Sequence, residues 1–170
     1  MARASVDDPL KVFRFRIIIA DFQRGGFTEF TGVKKETDEA EYREGGANES
    51  PQKSAGLSKY PNPTMKRGQF VGSSNPAGDD DFVNWINQVH QVTGLGTAVN
   101  YRKDFNVEQF SNVGNNGAGV PVVRWSFREA WPKSEVPFSD LNGLTSDNSF
   151  ETMEIVHEGY TKTKLLASPT

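Results

Sequence analysis

The sequence predicts a mainly β fold of a single domain, flanked by one α-helix and carrying one long extended loop. Three observations lead to it. Residues 12–19 alternate, with Phe13, Phe15, Ile17 and Ile19 on one face and Arg14 and Arg16 on the other. A clear helical period occurs once, where Phe82, Trp85, Ile86 and Val89 fall at i, i+3, i+4 and i+7 behind Asp79-Asp80-Asp81. Sixteen Gly and nine Pro in 170 residues demand many turns, while twelve Phe, four Tyr and three Trp supply bulk for one core.

Taken in order, the first strand candidate spans residues 12–19. A glycine-containing turn at 21–26 then leads to Phe27-Thr28-Glu29-Phe30-Thr31-Gly32-Val33, so the two segments are expected to form a hairpin. Residues 36–43 extend the β pattern, but their charge density allows at most one buried face. Residues 44–62 contain almost nothing to anchor a core and read as a long loop, a length that in a compact domain points to function or to flexibility. Residues 64–70 form a short strand of ambiguous facing. The helix at 82–90 presents one apolar stripe to the sheet. Strands at 104–110 and 120–127 flank a turn-rich segment and should make another hairpin. The last strand, 149–157, sets Phe150, Thr152, Glu154 and Val156 against Glu151, Met153, Ile155 and His157. Two mixed faces suit a sheet covered by another subunit. Residues 160–170 read as a C-terminal tail.

Composition excludes several functions. Twenty-two acidic against nineteen basic side chains, interleaved along the chain, leave no basic face for phosphate neutralisation, so a dedicated nucleic-acid binder is disfavoured. There is no cysteine, hence no disulfide and no thiolate metal site. The longest apolar run, Ile17-Ile18-Ile19-Ala20, cannot span a bilayer, and the start lacks a secretory pattern, so a soluble protein without membrane contact is expected. The triplet Asn48-Glu49-Ser50 therefore reads as a chance glycosylation match.

No constellation carries chemistry. His90 reads as a donor at the helix end. His157 and Glu158 are adjacent strand residues that point to opposite faces and would not share a site. Asp79-Asp80-Asp81 lacks the ligand alternation of a calcium loop and reads as a helix start. Gly94-Leu95-Gly96 follows a helix and reads as its stop, not as a nucleotide loop. No Gly-x-Ser-x-Gly elbow occurs. Catalytic residues, metal ligands and cofactors are therefore not expected.

Several segments, in order and spacing, resemble the tail-tube proteins of contractile-tailed phages and of related bacteriocins and injection devices, including the type VI secretion tube. Asp8-Pro9-Leu10 leads into Phe13-Arg14-Phe15. Gly26-Phe27-Thr28-Glu29-Phe30-Thr31-Gly32-Val33 is similar to that family's "GF-x-E-x-(S/T)-GL" turn-strand, with Val33 in place of Leu. Then come Glu41 to Gly46, Gly56, Lys59-Tyr60 and Met65-Lys66-Arg67-Gly68, similar to a "K-R-G" strand before the helix that holds Trp85. Pro121 to Trp125, Ala130-Trp131-Pro132 and Glu151 to Gly159 resemble the closing segment. Residues 72–79 look longer than the family pattern.

The resemblance implies an antiparallel β-sandwich or barrel with one flanking helix, six copies per ring, and rings stacked into a tube that conducts a genome during ejection. It makes residues 44–62 an inter-subunit arm, with Glu44, Gly45, Gly46, Lys53, Gly56, Lys59 and Tyr60 as candidate contacts. Phe82, Trp85, Ile86 and Val89 are expected to pack the helix. The implied partners are further copies of the chain, a tail sheath protein, baseplate and tail-terminator proteins, and a tape-measure protein and DNA that pass the lumen without specific binding. The implied location is the virion tail, assembled in the cytoplasm of a bacterial host. Alternatives are a bacteriocin or injection-system tube, a tube-capping or baseplate protein of the same fold, and a monomeric β-rich binding module.

Overall fold

The computed structural model describes residues 9–22, 26–42, 52–69, 80–95, 100–111 and 120–165. Among the described residues, nine strands and one helix follow in the order β1 (Phe15–Ile19), β2 (Phe27–Thr31), β3 (Glu36–Tyr42), β4 (Gln52–Lys59), β5 (Thr64–Gly68), α1 (Asp81–Leu95), β6 (Lys103–Phe110), β7 (Pro121–Val136), β8 (Phe150–Val156) and β9 (Tyr160–Lys164).

The long strand β7 organises the body. Its first half pairs with β6 and β9, its second half with β8, and all pairings are antiparallel. Strand order is β1-β6-β7-β8-β5-β2, with β9 beside β7. The change of partner falls where β7 bends: Glu129 has a φ of 51°, and Gly159, between β8 and β9, has a φ of 132°. Arg128 bridges the corner, its N–H donating to Gly159 O at 3.2 Å while its carbonyl accepts from Glu158 N at 3.1 Å. A strand that changes sheets at such a bend gives two half-sheets packed face to face, a sandwich closed along one corner.

The core fills the space between the halves. Ile17 and Ile19 on β1, Phe105 and Val107 on β6, and Phe127 on β7 face Met65 on β5 and Met153 and Ile155 on β8. Phe105 and Phe127 stack at 4.4 Å, and Phe30, from the opposite half-sheet, meets both edge-on at 6.0 and 5.6 Å. Edge-to-face packing of this kind adds to area burial.

The helix stands against β7. Phe82 and Trp85 are buried, in contact with the Phe22 ring at 5.8 and 5.5 Å, and the Trp85 indole donates to Tyr101 O at 2.7 Å. Ile86 and Val89 are half-buried flanks of the same stripe.

The sequence reading needs six corrections. β1 pairs with β6 and β2 with β5, so the expected hairpin between 12–19 and 27–33 does not form; alternation fixes a strand's faces, not its partner. Phe13 precedes β1 and is exposed. Eight residues of the expected 44–62 loop, Gln52–Lys59, form a strand, and Tyr160–Lys164 of the expected tail is another. Neither has apolar alternation to announce it. β7 continues nine residues past Phe127 because Pro132, nominally a breaker, sits at a register shift where no ladder donor is needed. Finally, α1 runs on past His90 to Leu95, so His90 is not at the helix end. Asp79 and residues 44–46 lie outside the described residues.

Candidate assembly surfaces

Three features are left after the core is accounted for: a protruding arm, a buried ion cluster below the helix, and an open cleft.

The arm is β3 with β4, a two-stranded sheet separate from the body. Beyond Glu36 every residue of both strands is exposed. What holds it is backbone ladder and charge. Lys53 lies 3.0 Å from Glu39 and 3.3 Å from Glu41, Lys59 lies 2.7 Å from Asp38, and Lys34 pairs with Glu36. The hydrogen bond and charge of Asp38 push the Lys59 ammonium above its ordinary value. Gly56 serves a bulge: Asp38 opposes two residues of β4, and a Cβ on Gly56 would come 3.0 Å from Asp38 O.

The neck of the arm is tightly built. Gly32, with a φ of 81°, lets the incoming chain pass so close to the outgoing one that a Cβ would sit 3.2 Å from Asn62 O. Tyr60 anchors the exit against the rings of His157 at 5.8 Å and Tyr160 at 6.0 Å. His157 is buried, and its Nδ1 accepts from Gly159 N at 3.1 Å. Burial pushes its pKa below the ordinary value. This imidazole is a structural member of an aromatic cluster that includes Phe127 at 5.0 Å.

Of the sequence-predicted contacts, Lys53, Gly56 and Lys59 therefore share β4, and Tyr60 marks the neck. The sequence reading missed the apolar side chains of the arm, Tyr42 and Leu57, the latter 76% exposed.

It also missed the ion cluster. Arg67, only 1% exposed, donates through Nε to Glu151 at 3.0 Å, approaches Asp81 at 4.0 Å and lies 4.3 Å over the Phe82 ring. Glu135 Oε1 is buried beside this group without a hydrogen-bond partner among the described residues. Burial, together with the charge of Glu151, pushes the Glu135 carboxyl up. A signal existed: Arg67 is in phase with Met65, and Glu151 with Met153 and Ile155, so opposite charges occupy core-phase positions on two strands.

On the other half-sheet Glu108 is buried between Arg16 at 2.9 Å and Arg124 at 2.7 Å. Burial alone would raise its carboxyl, but the two arginines outweigh burial and hold it below the usual range.

The cleft, of about 520 Å³, opens between the half-sheets near the start of β7. Its walls are mainly aromatic and aliphatic, from Phe15, Phe30, Trp125 and Tyr160, with Glu29 and Gln109 as polar edges. No segment of the described chain fills it.

Among the described residues, no group of three or more His, Asp or Glu side chains is arranged to hold a metal ion. No helix among them is long and apolar enough to cross a membrane.

A two-sheet body with one covering helix and an unsupported arm defines a β-rich structural subunit. The family is specific: residues 11–161 match the model for the T4-like virus tail tube protein gp19, and the chain belongs to that family. Solved structures agree on the fold. A chain of the PVC sheath-tube complex, an extracellular contractile injection system in its extended state, superposes with a TM-score of 0.72 at 21% identity, covering 94% of this chain and 95% of that one. A chain of the anti-feeding prophage tube-terminating cap gives 0.72 at 21% identity, with 96% of each chain covered. A chain of the anti-feeding prophage baseplate gives 0.69 at 15% identity, covering 94% and 98%. No curated protein sequence matches the chain.

Proposed function

We propose that copies of this chain form hexameric rings that stack into the inner tube of a contractile tail, a passive conduit for a genome. The arm carries this reading. A hairpin exposed on both faces, with Leu57 and Tyr42 turned to solvent, gains order and burial only against another molecule, and membership of a tube family makes the adjacent ring that molecule. The outer edges of β1 and β2, which no strand among the described residues pairs, are paired in the same way when neighbouring copies close a ring.

Nothing in this function calls for catalysis. Its partners would be a surrounding sheath, a baseplate and a terminator, with tape-measure protein and DNA in the lumen. A conduit must not hold its cargo, and interleaved charge with a net −3 avoids the many simultaneous phosphate contacts that would slow transit. The chains of contractile injection devices named above share the fold, so an injection-device tube is the second setting, and the genes flanking this one would separate the two.

Electron microscopy of the purified protein tests the proposal. Uniform tubes, or six-fold rings that stack, are expected. A monodisperse monomer at high concentration, with neither rings nor tubes in micrographs, would overturn it.

A further inference from the structure

We infer that the arm joins one ring to the next by seating Glu39 and Glu41 against Arg16 and Arg124 of a copy in the adjacent ring. This contact rests on the proposed role of the arm in stacking and gives that role its receiving surface.

The charge of the chain is unevenly placed. Residues 37–58 hold five acids and two bases, so this stretch carries the whole net charge of −3 and the rest of the chain is neutral. Two arms therefore repel each other, and an arm lands most favourably where a body presents surplus positive charge.

The arm side of the contact is one cation shared by two carboxylates. Glu41 stands directly opposite Lys53 in the ladder, and Glu39, two residues earlier, shares its face. Lys53 lies 3.0 Å from Glu39 and 3.3 Å from Glu41, and all three side chains are exposed. One ammonium cannot neutralise two carboxylates, so the trio stays negative.

The body side is the inverse, one carboxylate shared by two cations. The ladder sets Arg16, Glu108 and Arg124 side by side on β1, β6 and β7, on the face turned away from Ile17, Val107 and the core. Arg124 holds Glu108 Oε1 through Nε at 3.0 Å and Nη2 at 2.7 Å. Arg16 holds Oε2 through Nη2 at 2.9 Å, with its guanidinium 5.2 Å from the Phe110 ring. The Glu108 side chain is only 2% exposed, but those of Arg16 and Arg124 are 57% and 40% exposed. A guanidinium has five N–H donors. Glu108 occupies two on Arg124 and one on Arg16, so both keep donors for an incoming carboxylate. The other acid of β6, Asp104, lies at the corner, where it accepts from Glu129 N at 2.9 Å.

The spacing also fits. The Cα atoms of Glu39 and Glu41 are about 7 Å apart along β3, and those of Arg16 and Arg124, one strand to either side of β6, are about 10 Å apart, a difference that the long side chains span. Within one chain the two trios do not meet: Lys53 is the cation on Glu39, and Glu108 is the anion on both arginines. A second copy supplies the missing opposite. One exposed contact of this kind contributes little, but all the arms of a ring engage at once, and weak contacts in parallel make a firm joint.

Inverting each trio tests the contact while keeping its internal pairing. Glu39→Lys, Glu41→Lys and Lys53→Glu invert the arm; Arg16→Glu, Glu108→Lys and Arg124→Glu invert the body. Each variant alone should give rings that do not stack, and mixing the two should restore tubes in micrographs, because every arm then finds an opposite body. Tubes from either variant alone would overturn the contact, and so would rings of both that stay apart on mixing. All six substitutions in one chain should also restore tubes; recovery there without recovery on mixing would overturn it by placing the arm on its own body. Should the inverted body fail to fold, Glu39→Gln with Glu41→Gln on the exposed arm decides. The protein concentration at which tubes form should then rise on the order of tenfold and lose its dependence on sodium chloride, with the melting temperature unchanged. Tubes at the wild-type concentration would overturn the contact. Wild-type rings that bind double-stranded DNA, with the binding lost in the inverted body, would assign the arginines to cargo and overturn it too. An unmodified protein that forms neither rings nor tubes would remove the proposed function and this contact together.

Discussion

The body and the arm of this subunit are made of the same antiparallel ladders but held by different forces. In the body, Phe105, Phe127, Met65, Met153 and Ile155 are withdrawn from water between the two half-sheets. In the arm, β3 and β4 bury neither face, and exposed ion pairs such as Lys53 with Glu39 do the remaining work. Exposed pairs contribute about 0–1 kcal/mol each, and an isolated two-stranded hairpin is marginal in water. The body therefore has a core to hold it, whereas the arm has only its ladder and its exposed charges. Substitutions in the two regions should differ in what they damage: stability in one, assembly in the other.

The largest effect on folding is expected at the helix. Trp85→Ala removes a side chain that is fully buried against Phe22 and takes away the donor that satisfies Tyr101 O. A loss of about 3–5 kcal/mol in urea unfolding is expected, with the slope unchanged. Leu57→Ala in the arm should leave the unfolding midpoint where it is. Equal losses at the two positions would erase the distinction between body and arm.

Breaking the buried ion cluster comes next. Arg67→Met leaves Glu151, Asp81 and Glu135 facing each other beneath the helix with their shared cation gone. A cost of about 3 kcal/mol at neutral pH is expected, because the penalty lies in the uncompensated carboxylates. Glu135→Gln should act in the opposite direction. The folded protein binds a proton more readily at Glu135 than the unfolded chain does, so wild-type stability falls as pH rises from the ordinary carboxylate value through the raised one. The amide should remove that dependence, which thermal melts between pH 4 and pH 8 would reveal.

These clusters also mark how far the sequence could be read. The alternation of Ile17 with Ile19 and of Met153 with Ile155, and the stripe containing Phe82 and Trp85, were legible because each is a local period tied to one buried face. β4 was not, because Gln52–Lys59 has no buried face to impose a period. β7 looked shorter than it is because a proline at a register shift is locally indistinguishable from a strand end. The pairing of β1 with β6 and the meeting of Phe30 with Trp125 in one cleft depend on contacts far apart in sequence. No window of the chain contains them. Lys53, Gly56, Lys59 and Tyr60 became candidate arm contacts by resemblance alone, whereas the exposure of Leu57 on the arm is visible only in the structure.

A smaller and pH-dependent effect is expected at the neck. His157 is buried with a lowered pKa, so the unfolded chain takes up a proton at this residue before the folded protein does. Stability from neutral His157 is fully present above the unfolded value of about 6.5 and declines below it, at no more than about 1.4 kcal/mol per pH unit. A His157→Gln variant should be less stable at pH 8 but should lose less stability between pH 7 and pH 5. Calorimetry across that range compares the two slopes. Parallel curves would mean that His157 is as free to protonate in the fold as outside it.

The smallest effect on folding should come from the largest excision. Glu36 and Lys59 are direct partners in the arm ladder, so residues 37–58 can be replaced by Asn-Gly, a two-residue turn suited to joining paired strands. The described residues of the excised stretch, 37–42 and 52–58, are all exposed, while Gly32, Tyr60 and Asn62, which build the neck, remain. The shortened protein should unfold within about 0.5 kcal/mol of the original, as surface changes do. Its assembly should stop at single rings, since the arm is proposed to join one ring to the next while ring closure uses the body. Analytical ultracentrifugation and micrographs together decide the matter: normal tubes would remove the arm from stacking, and a large loss of stability would return it to the core. Rings without tubes would instead separate the two contacts, one within the ring and one between rings, that a tube requires.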